Sequence, residues 1–318
     1  MNKLIPIGTV GLGLMGSSIA ASILAAGHPV TSLECDSQKR EEAHQRVGKL
    51  LEQLYTEQLT REHPDTVLKR FRITDNINDL AGHDVVIEAI TESVKIKKEL
   101  FQNLESILSP QAIIGSNTSA IPVSILQEGL NHPERLLGIH WAEPAHVTRF
   151  MEIISGQQTD IQYAQRIYTL AESWGKEPSL IKKDIRGFIT NRIMYAMMRE
   201  AFFLVENGYA SIEDVDRSVR NDLGYWITLA GPFRFMDLTG IPAYLTVMED
   251  LFPELNKADT APQLIQDIVA AGGKGVSNAH GFYKYTRETA KEWEERFLEF
   301  SYDIRKLAEK YTNKNKAY

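Results

Sequence analysis

Two small groups of residues carry the chemistry open to this chain. The first is His140 with Glu152 twelve residues later, in the stretch HWAEPAHVTRFME. Short apolar runs, Leu136–Ile139 and Phe150–Ile154, accompany them and read as strands. An imidazole closing one strand and a carboxylate on the next can meet across the intervening loop. A general base and the group that orients its ring need that arrangement, although a His–Glu pair alone is also a common structural contact. The second group is Gly11-Leu12-Gly13-Leu14-Met15-Gly16, with Glu34 eighteen residues beyond the last glycine. A strand–glycine turn–helix of this spacing brings backbone amides and a helix N-terminus to a diphosphate, and the acid accepts from the adenosine ribose hydroxyls. A carboxylate there repels a 2′-phosphate, so NAD is expected as cofactor rather than NADP.

The surrounding elements must position these groups. Ile5–Val10 reads as a buried strand, with Pro6 and Gly8 unusual in a central one. A small-residue helix, Ser17–Ala26, follows the glycine turn, and Pro29–Leu33 reads as the next strand. Ser37–Leu59 is amphipathic, its charges nearly cancelling. The apolar run Asp84–Ile90 reads as a buried strand, Thr91–Leu108 as a helix, and Ala112–Gly115 as a strand ending in Ser116-Asn117-Thr118-Ser119. Alternation on this scale predicts an α/β fold, a Rossmann-type doubly wound sheet with ligands at the carboxyl ends of its strands. Glu92, Ser119 and His140 all fall at such ends.

After a helix at Ile161–Ser173 and a short segment at Glu177–Ile185, strand patterns cease. The boundary is set near Asp184–Arg186, giving an NAD-binding domain over 1–185 and an all-α C-terminal domain over 186–318 for substrate binding and dimerisation. Phe188–Asn207 reads as a long helix, Ser211 as a helix cap, and Gly231-Pro232-Phe233 as another helix start. Near the C-terminus Trp293, Phe297, Phe300, Ile304, Leu307 and Tyr311 recur at spacings of four and three. This stripe packs on another helix, of the same chain or of a second subunit.

Composition narrows the function classes. The chain has 318 residues, 43% hydrophobic and 24% charged, with net charge −7. No basic block offsets that charge, which argues against nucleic-acid or anionic-membrane partners. The single cysteine, Cys35, can form neither an internal disulfide nor a thiolate metal site, and no metal is expected. Leu4–His28 is uncharged and superficially resembles a signal peptide, but its glycines are accounted for by the dinucleotide turn. A cytoplasmic location is expected.

These motifs, taken in order, resemble the 3-hydroxyacyl-CoA dehydrogenase family, which includes 3-hydroxybutyryl-CoA, L-gulonate 3- and carnitine dehydrogenases. The resemblance rests on GLGLMG (11–16), VVIEAITE (85–92), SNTSA (116–120), the His140–Glu152 spacing, GFITNR (187–192), GPF (231–233) and GFYKY (281–285). It implies that Gly11, Leu12, Gly13, Leu14, Met15, Gly16 and Glu34 hold NAD, with Glu92 and Lys97 near its ribose and nicotinamide side. It implies His140 as acid/base, Glu152 as its partner, Ser119 near the nicotinamide and substrate oxygen, and Asn191 on the reacting oxygen. A homodimer and a role in fatty acid metabolism are the family expectations.

Two departures bear on substrate. Glu143 stands where the family usually has asparagine, beside the nicotinamide; it could recognise a polar or cationic group, with Trp141 offering an aromatic face. The helix that is basic in CoA-using members is here balanced in charge. The leading expectation is an NAD-dependent L-3-hydroxyacyl-CoA dehydrogenase of short-chain preference. A dehydrogenase of a free 3-hydroxy acid, gulonate- or carnitine-like, is the alternative, and a non-catalytic NAD-binding protein is a third. The sequence leaves the substrate and the physiological direction open.

Overall fold

The computed structural model describes residues 4–312. The chain divides into two compact units between Asn191 and Arg192.

The first unit runs β1 (Ile7–Val10), α1 (Leu14–Ala25), β2 (Val30–Leu33), α2 (Ser37–Thr56), α3 (Pro64–Leu68), β3 (Phe71–Thr74), β4 (Val85–Glu88), α4 (Val94–Ile107), β5 (Ile113–Ser116), α5 (Val123–Gln127), β6 (Leu136–Trp141), β7 (Phe150–Ser155), α6 (Ile161–Ser173) and β8 (Glu177–Ile181). The strands form one sheet in the order β3-β2-β1-β4-β5-β6-β7-β8. Every neighbouring pair is parallel except β6 and β7. Apolar cores lie on both faces: Ile19, Ile23, Val47 and Ile167 belong to one, Val86, Phe101 and Leu104 to the other. Burial on both faces is why the strands read as continuous apolar runs. The order reverses between β1 and β4, which opens a crevice at their carboxyl ends.

The two odd residues of the first strand have distinct explanations. Pro6 lacks an N–H to donate, and β1 starts one residue later at Ile7. A Cβ on Gly8 would lie 2.9 Å from Val86 Cγ2, so glycine permits the close approach of β4. Sequence reading assigned no element to β3 and read β8 only as a short segment; both are edge strands.

The second unit is helical: most of α7 (Thr190–Glu206), then α8 (Ile212–Asn221), α9 (Leu223–Ile227), α10 (Gly231–Thr239), α11 (Ile241–Leu251), α12 (Gln263–Ala270) and α13 (Arg287–Thr312). The expected cap is present, Ser211 Oγ accepting from the Asp214 amide at 3.1 Å. The C-terminal stripe lies along α13 but is not covered by its own chain: Trp293 is 52% exposed, and Phe297 and Phe300 60% each.

Candidate active site

Three glycines build the turn after β1 for three different reasons. Gly11 sits at φ +90°, and a Cβ there would lie 2.8 Å from the Ala89 carbonyl. A Cβ on Gly16 would lie 1.9 Å from the Gly11 carbonyl, so only glycine lets α1 start so close to the strand. Around Gly13 a Cβ would meet nothing within 4 Å, which is the open approach a diphosphate needs. Gly13 is also the N-cap of α1, with no side-chain cap and no acid in the first turn. The helix start therefore keeps its amides for an anion. Leu12 is buried, whereas Leu14 is exposed and Met15 partly so. Glu34, one residue past β2, accepts from the Leu12 amide at 3.0 Å and the Asp36 amide at 3.1 Å. Each carboxylate oxygen keeps acceptor capacity for a ribose hydroxyl. These residues fit NAD.

At the ends of β4 and β5 lies a chain of charges. Glu88, fully buried, accepts from Lys97 Nζ, the Ser116 hydroxyl (2.7 Å) and the Ile90 amide (2.7 Å). The same ammonium lies 3.2 Å from Glu92. Glu92 in turn accepts from the Thr118 hydroxyl (2.5 Å) and the Ser119 amide (3.0 Å). Burial pulls the Glu92 carboxyl upward; the Thr118 hydrogen bond, the Lys97 charge and the Ser119 amide outweigh it and hold the group below its ordinary value. Lys97 itself is 1% exposed, so its influence on a ligand passes through Glu92 and the Ser119 loop that Glu92 holds.

The histidine–glutamate expectation becomes a register. Because β7 is antiparallel to β6, His140 stands directly opposite Glu152. His140 Nδ1 and Glu152 Oε2 are 2.9 Å apart, and both side chains are buried. The other glutamate oxygen accepts from the amides of Ile189 (3.1 Å) and Thr190 (2.9 Å). Burial alone would raise this carboxyl; the His140 hydrogen bond, with the Thr190 and Ile189 amides, reverses that and holds it below the usual glutamate value. An ionised acceptor at Nδ1 puts the proton there and leaves Nε2 as the basic nitrogen.

Phe150 stands edge-on to the imidazole and Phe188 lies tilted against it, each 5.5 Å away between centroids. Phe188 has φ +51° after Gly187 at φ +80°. Left-handed backbone at a bulky residue costs on the order of 1–3 kcal/mol, and this turn is what aims the next two amides at Glu152. Asn191 Nδ2 donates to the Ser119 carbonyl at 2.9 Å, so the structure brings these two expected site residues together.

Trp141 is not at the site. Strand alternation sends it to the opposite face from His140, where it is 2% exposed and stacked on Trp174 at 5.7 Å, with the Lys176 ammonium 4.8 Å from its ring. It offers no aromatic face to a substrate. Glu143 lies just beyond β6 with no partner for its carboxyl among the described residues; partial burial holds that carboxyl above the usual value.

Sequence reasoning missed Phe150 and Phe188, whose only signal was Gly187 before an aromatic. It also missed Asn117, whose side chain accepts from the Trp141 amide at 2.9 Å and ties the end of β6 to the loop after β5.

Comparison with known proteins supplies the family. The model of the 3-hydroxyacyl-CoA dehydrogenase NAD-binding domain matches residues 6–185, and that of its C-terminal domain matches residues 187–285. The chain belongs to the 3-hydroxyacyl-CoA dehydrogenase family. Its members use NAD and are oxidoreductases acting on CH–OH. Among relatives of this family, a 5-formyl-3-hydroxy-2-methylpyridine 4-carboxylate 5-dehydrogenase of Mesorhizobium japonicum is 32% identical over 90% of this chain and 92% of its own. A 3-hydroxybutyryl-CoA dehydrogenase of Mycobacterium tuberculosis is 31% identical over 88% of this chain and 98% of its own. A crystal structure of a 5-dehydrogenase of the same pyridine compound, described as an NAD⁺-dependent dismutase, superposes with TM-score 0.89 at 30% identity, covering 96% of this chain and 99% of its own. The (S)-3-hydroxybutyryl-CoA dehydrogenase of Ralstonia eutropha superposes with TM-score 0.73 at 28% identity, over 89% of this chain and all of its own.

Among the described residues no cluster of side chains can hold a metal ion, and no helix is long and apolar enough to cross a membrane.

Proposed function

We propose that this chain is an NAD-dependent L-3-hydroxyacyl-CoA dehydrogenase acting on short-chain substrates such as 3-hydroxybutyryl-CoA, in the cytoplasm, as part of fatty acid metabolism. The observation that carries the chemistry is the buried His140–Glu152 pair with Nε2 left basic. NAD⁺, when bound, accepts hydride from the carbon that bears the alcohol. His140 takes the hydroxyl proton at Nε2, and the ionised Glu152 stabilises the imidazolium that results. Ser119 and Asn191, neutral donors held together at the loop after β5, stabilise charge developing on the reacting oxygen. Phe150 and Phe188 keep water from the imidazole. Relatives named for 3-hydroxybutyryl-CoA support the acyl-CoA substrate.

A second reading, a dehydrogenase of a free hydroxy acid without CoA, has two observations in its favour. The higher TM-score is to an enzyme named for a pyridine carboxylate. And of the four basic residues of α2, Arg40 donates to the Glu34 and Cys35 carbonyls and Arg46 to that of Leu12, so neither is wholly free for a CoA nucleotide. NADH oxidation with acetoacetyl-CoA, run beside NAD⁺ reduction with free L-3-hydroxy acids including L-gulonate and L-carnitine, separates the two. Efficient turnover of acetoacetyl-CoA is expected; activity confined to free acids would replace the first reading with the second.

The functional form we propose is a homodimer through the helical unit. None of α8–α12 has a buried residue, and a groove of about 750 Å³ lined by Tyr225, Trp226, Phe235, Phe300 and Leu307 stands open. Exposed apolar area on this scale marks an association surface. Light scattering after size exclusion tests it, with twice the 35.9 kDa chain mass expected.

A further inference from the structure

The glycine turn is held from outside by the next strand–helix unit, and the hold is two-sided. The amide of Leu12 donates to Glu34 Oε2 at 3.0 Å. Its carbonyl accepts from Arg46 Nη1 and from Ser17 Oγ, both at 3.1 Å. Leu12 is the midpoint of the turn, and its side chain is 1% exposed, anchored in the core. Both peptide groups that flank it are thus fixed before any ligand arrives. Direction matters here. A peptide flip at this position would turn a carbonyl oxygen toward the phosphates and an amide away from them, replacing attraction by repulsion.

The hold on the carbonyl comes from Arg46. Residues 11–16 carry no charge, and the whole chain is at −7. Arg46 reaches the turn from the middle of α2 with its side chain 33% exposed, and only Nη1 is used on Leu12 and Ser17 (3.4 Å). Its other terminal nitrogen has a single loose ion pair, 3.9 Å from Glu42. A guanidinium presents its donors in a fixed fork, so Nη1 holds the Leu12 carbonyl in one direction.

Resting on the assignment of NAD to this turn, we propose that Arg46 is a positioning residue for the cofactor, acting through Leu12. It locks the Leu12 carbonyl so that the turn is preformed for the diphosphate.

The test is equilibrium binding, which needs no knowledge of the substrate. NADH, ADP-ribose and adenosine are titrated against wild type and Arg46→Gln, NADH by fluorescence and the others by displacement. A charge-assisted hydrogen bond lost in this setting lowers affinity by about tenfold or more. That loss is expected for NADH and ADP-ribose alike, with adenosine unchanged and the preference for NAD⁺ over NADP⁺ retained. Affinities for NADH within about twofold of wild type would overturn the proposal. So would an equal loss on adenosine, which would make Arg46 a support of α2 and nothing more. Should Arg46→Gln fail to fold, Arg46→Lys gives the same comparison, its loss on ADP-ribose exceeding its loss on adenosine. Failure of the acyl-CoA reading would leave these titrations untouched.

Discussion

Helix α1 and helices α8–α12 make an instructive contrast. Nine of the twelve residues of α1 are buried, including Ile19, Ile23 and Leu24. In α10 none is, and Phe233 stands 79% exposed and Leu238 68%. Both helices are rich in apolar residues; they differ in what supplies the opposing layer. A sheet in the same unit covers α1, whereas the described residues of the helical unit form no sheet and leave their apolar faces open. Hydrophobic patterning identifies a surface that requires cover, but not which molecule provides it.

The contrast predicts where damage will be felt. The largest effect is expected from His140→Ala, which should lower kcat by about 10²–10⁴-fold while size-exclusion mass and NADH binding stay as in wild type. Near-normal turnover in that variant would remove His140 from the chemistry. Next, Phe101→Ala opens a hole in a core that lies wholly within the first unit, at a cost of about 3–5 kcal/mol measured by denaturant unfolding. Phe300→Asp, on the open stripe of α13, should leave that unit's unfolding unchanged and shift the protein toward monomer on dilution. If Phe300→Asp stayed dimeric at nanomolar concentration, the stripe would not be the association surface.

The smallest effect is one of pH. The Glu152 carboxyl sits below its ordinary value of 4.5 in the folded chain, so it contributes stability that is complete above that value. The contribution is lost as pH falls through the folded value. Unfolding free energy of wild type should therefore decline more steeply below about pH 5 than that of Glu152→Gln. Parallel curves would mean that burial, and not the His140 bond and the two amides, governs this group.

Much of this was legible in the residues, for physical reasons that can be named. The glycine turn was readable because each glycine answers a separate steric demand, at 2.8 Å, at 1.9 Å and in open space. The meeting of His140 and Glu152 was readable because two short strands and one loop leave few registers. Trp141 was misplaced because its role depends on strand parity, which sends neighbours to opposite faces. The burial of Lys97 beneath Glu92 was not legible, since nothing in its spacing shows that Glu88 draws its ammonium inward. The edge strands β3 and β8 lack long apolar runs because edges are only partly covered. The turn at Gly187–Phe188 gave little sign, because left-handed backbone at phenylalanine is set by tertiary contacts rather than by local preference.

The two amides on Glu152 have a consequence for how this part of the chain can vary. Ile189 and Thr190 are exposed, and what they give the carboxylate is a backbone proton, not a side chain. Nineteen residue types carry that proton equally well. Both positions are therefore open to drift in size, charge and polarity, and closed to proline alone, whose ring nitrogen has no proton to give.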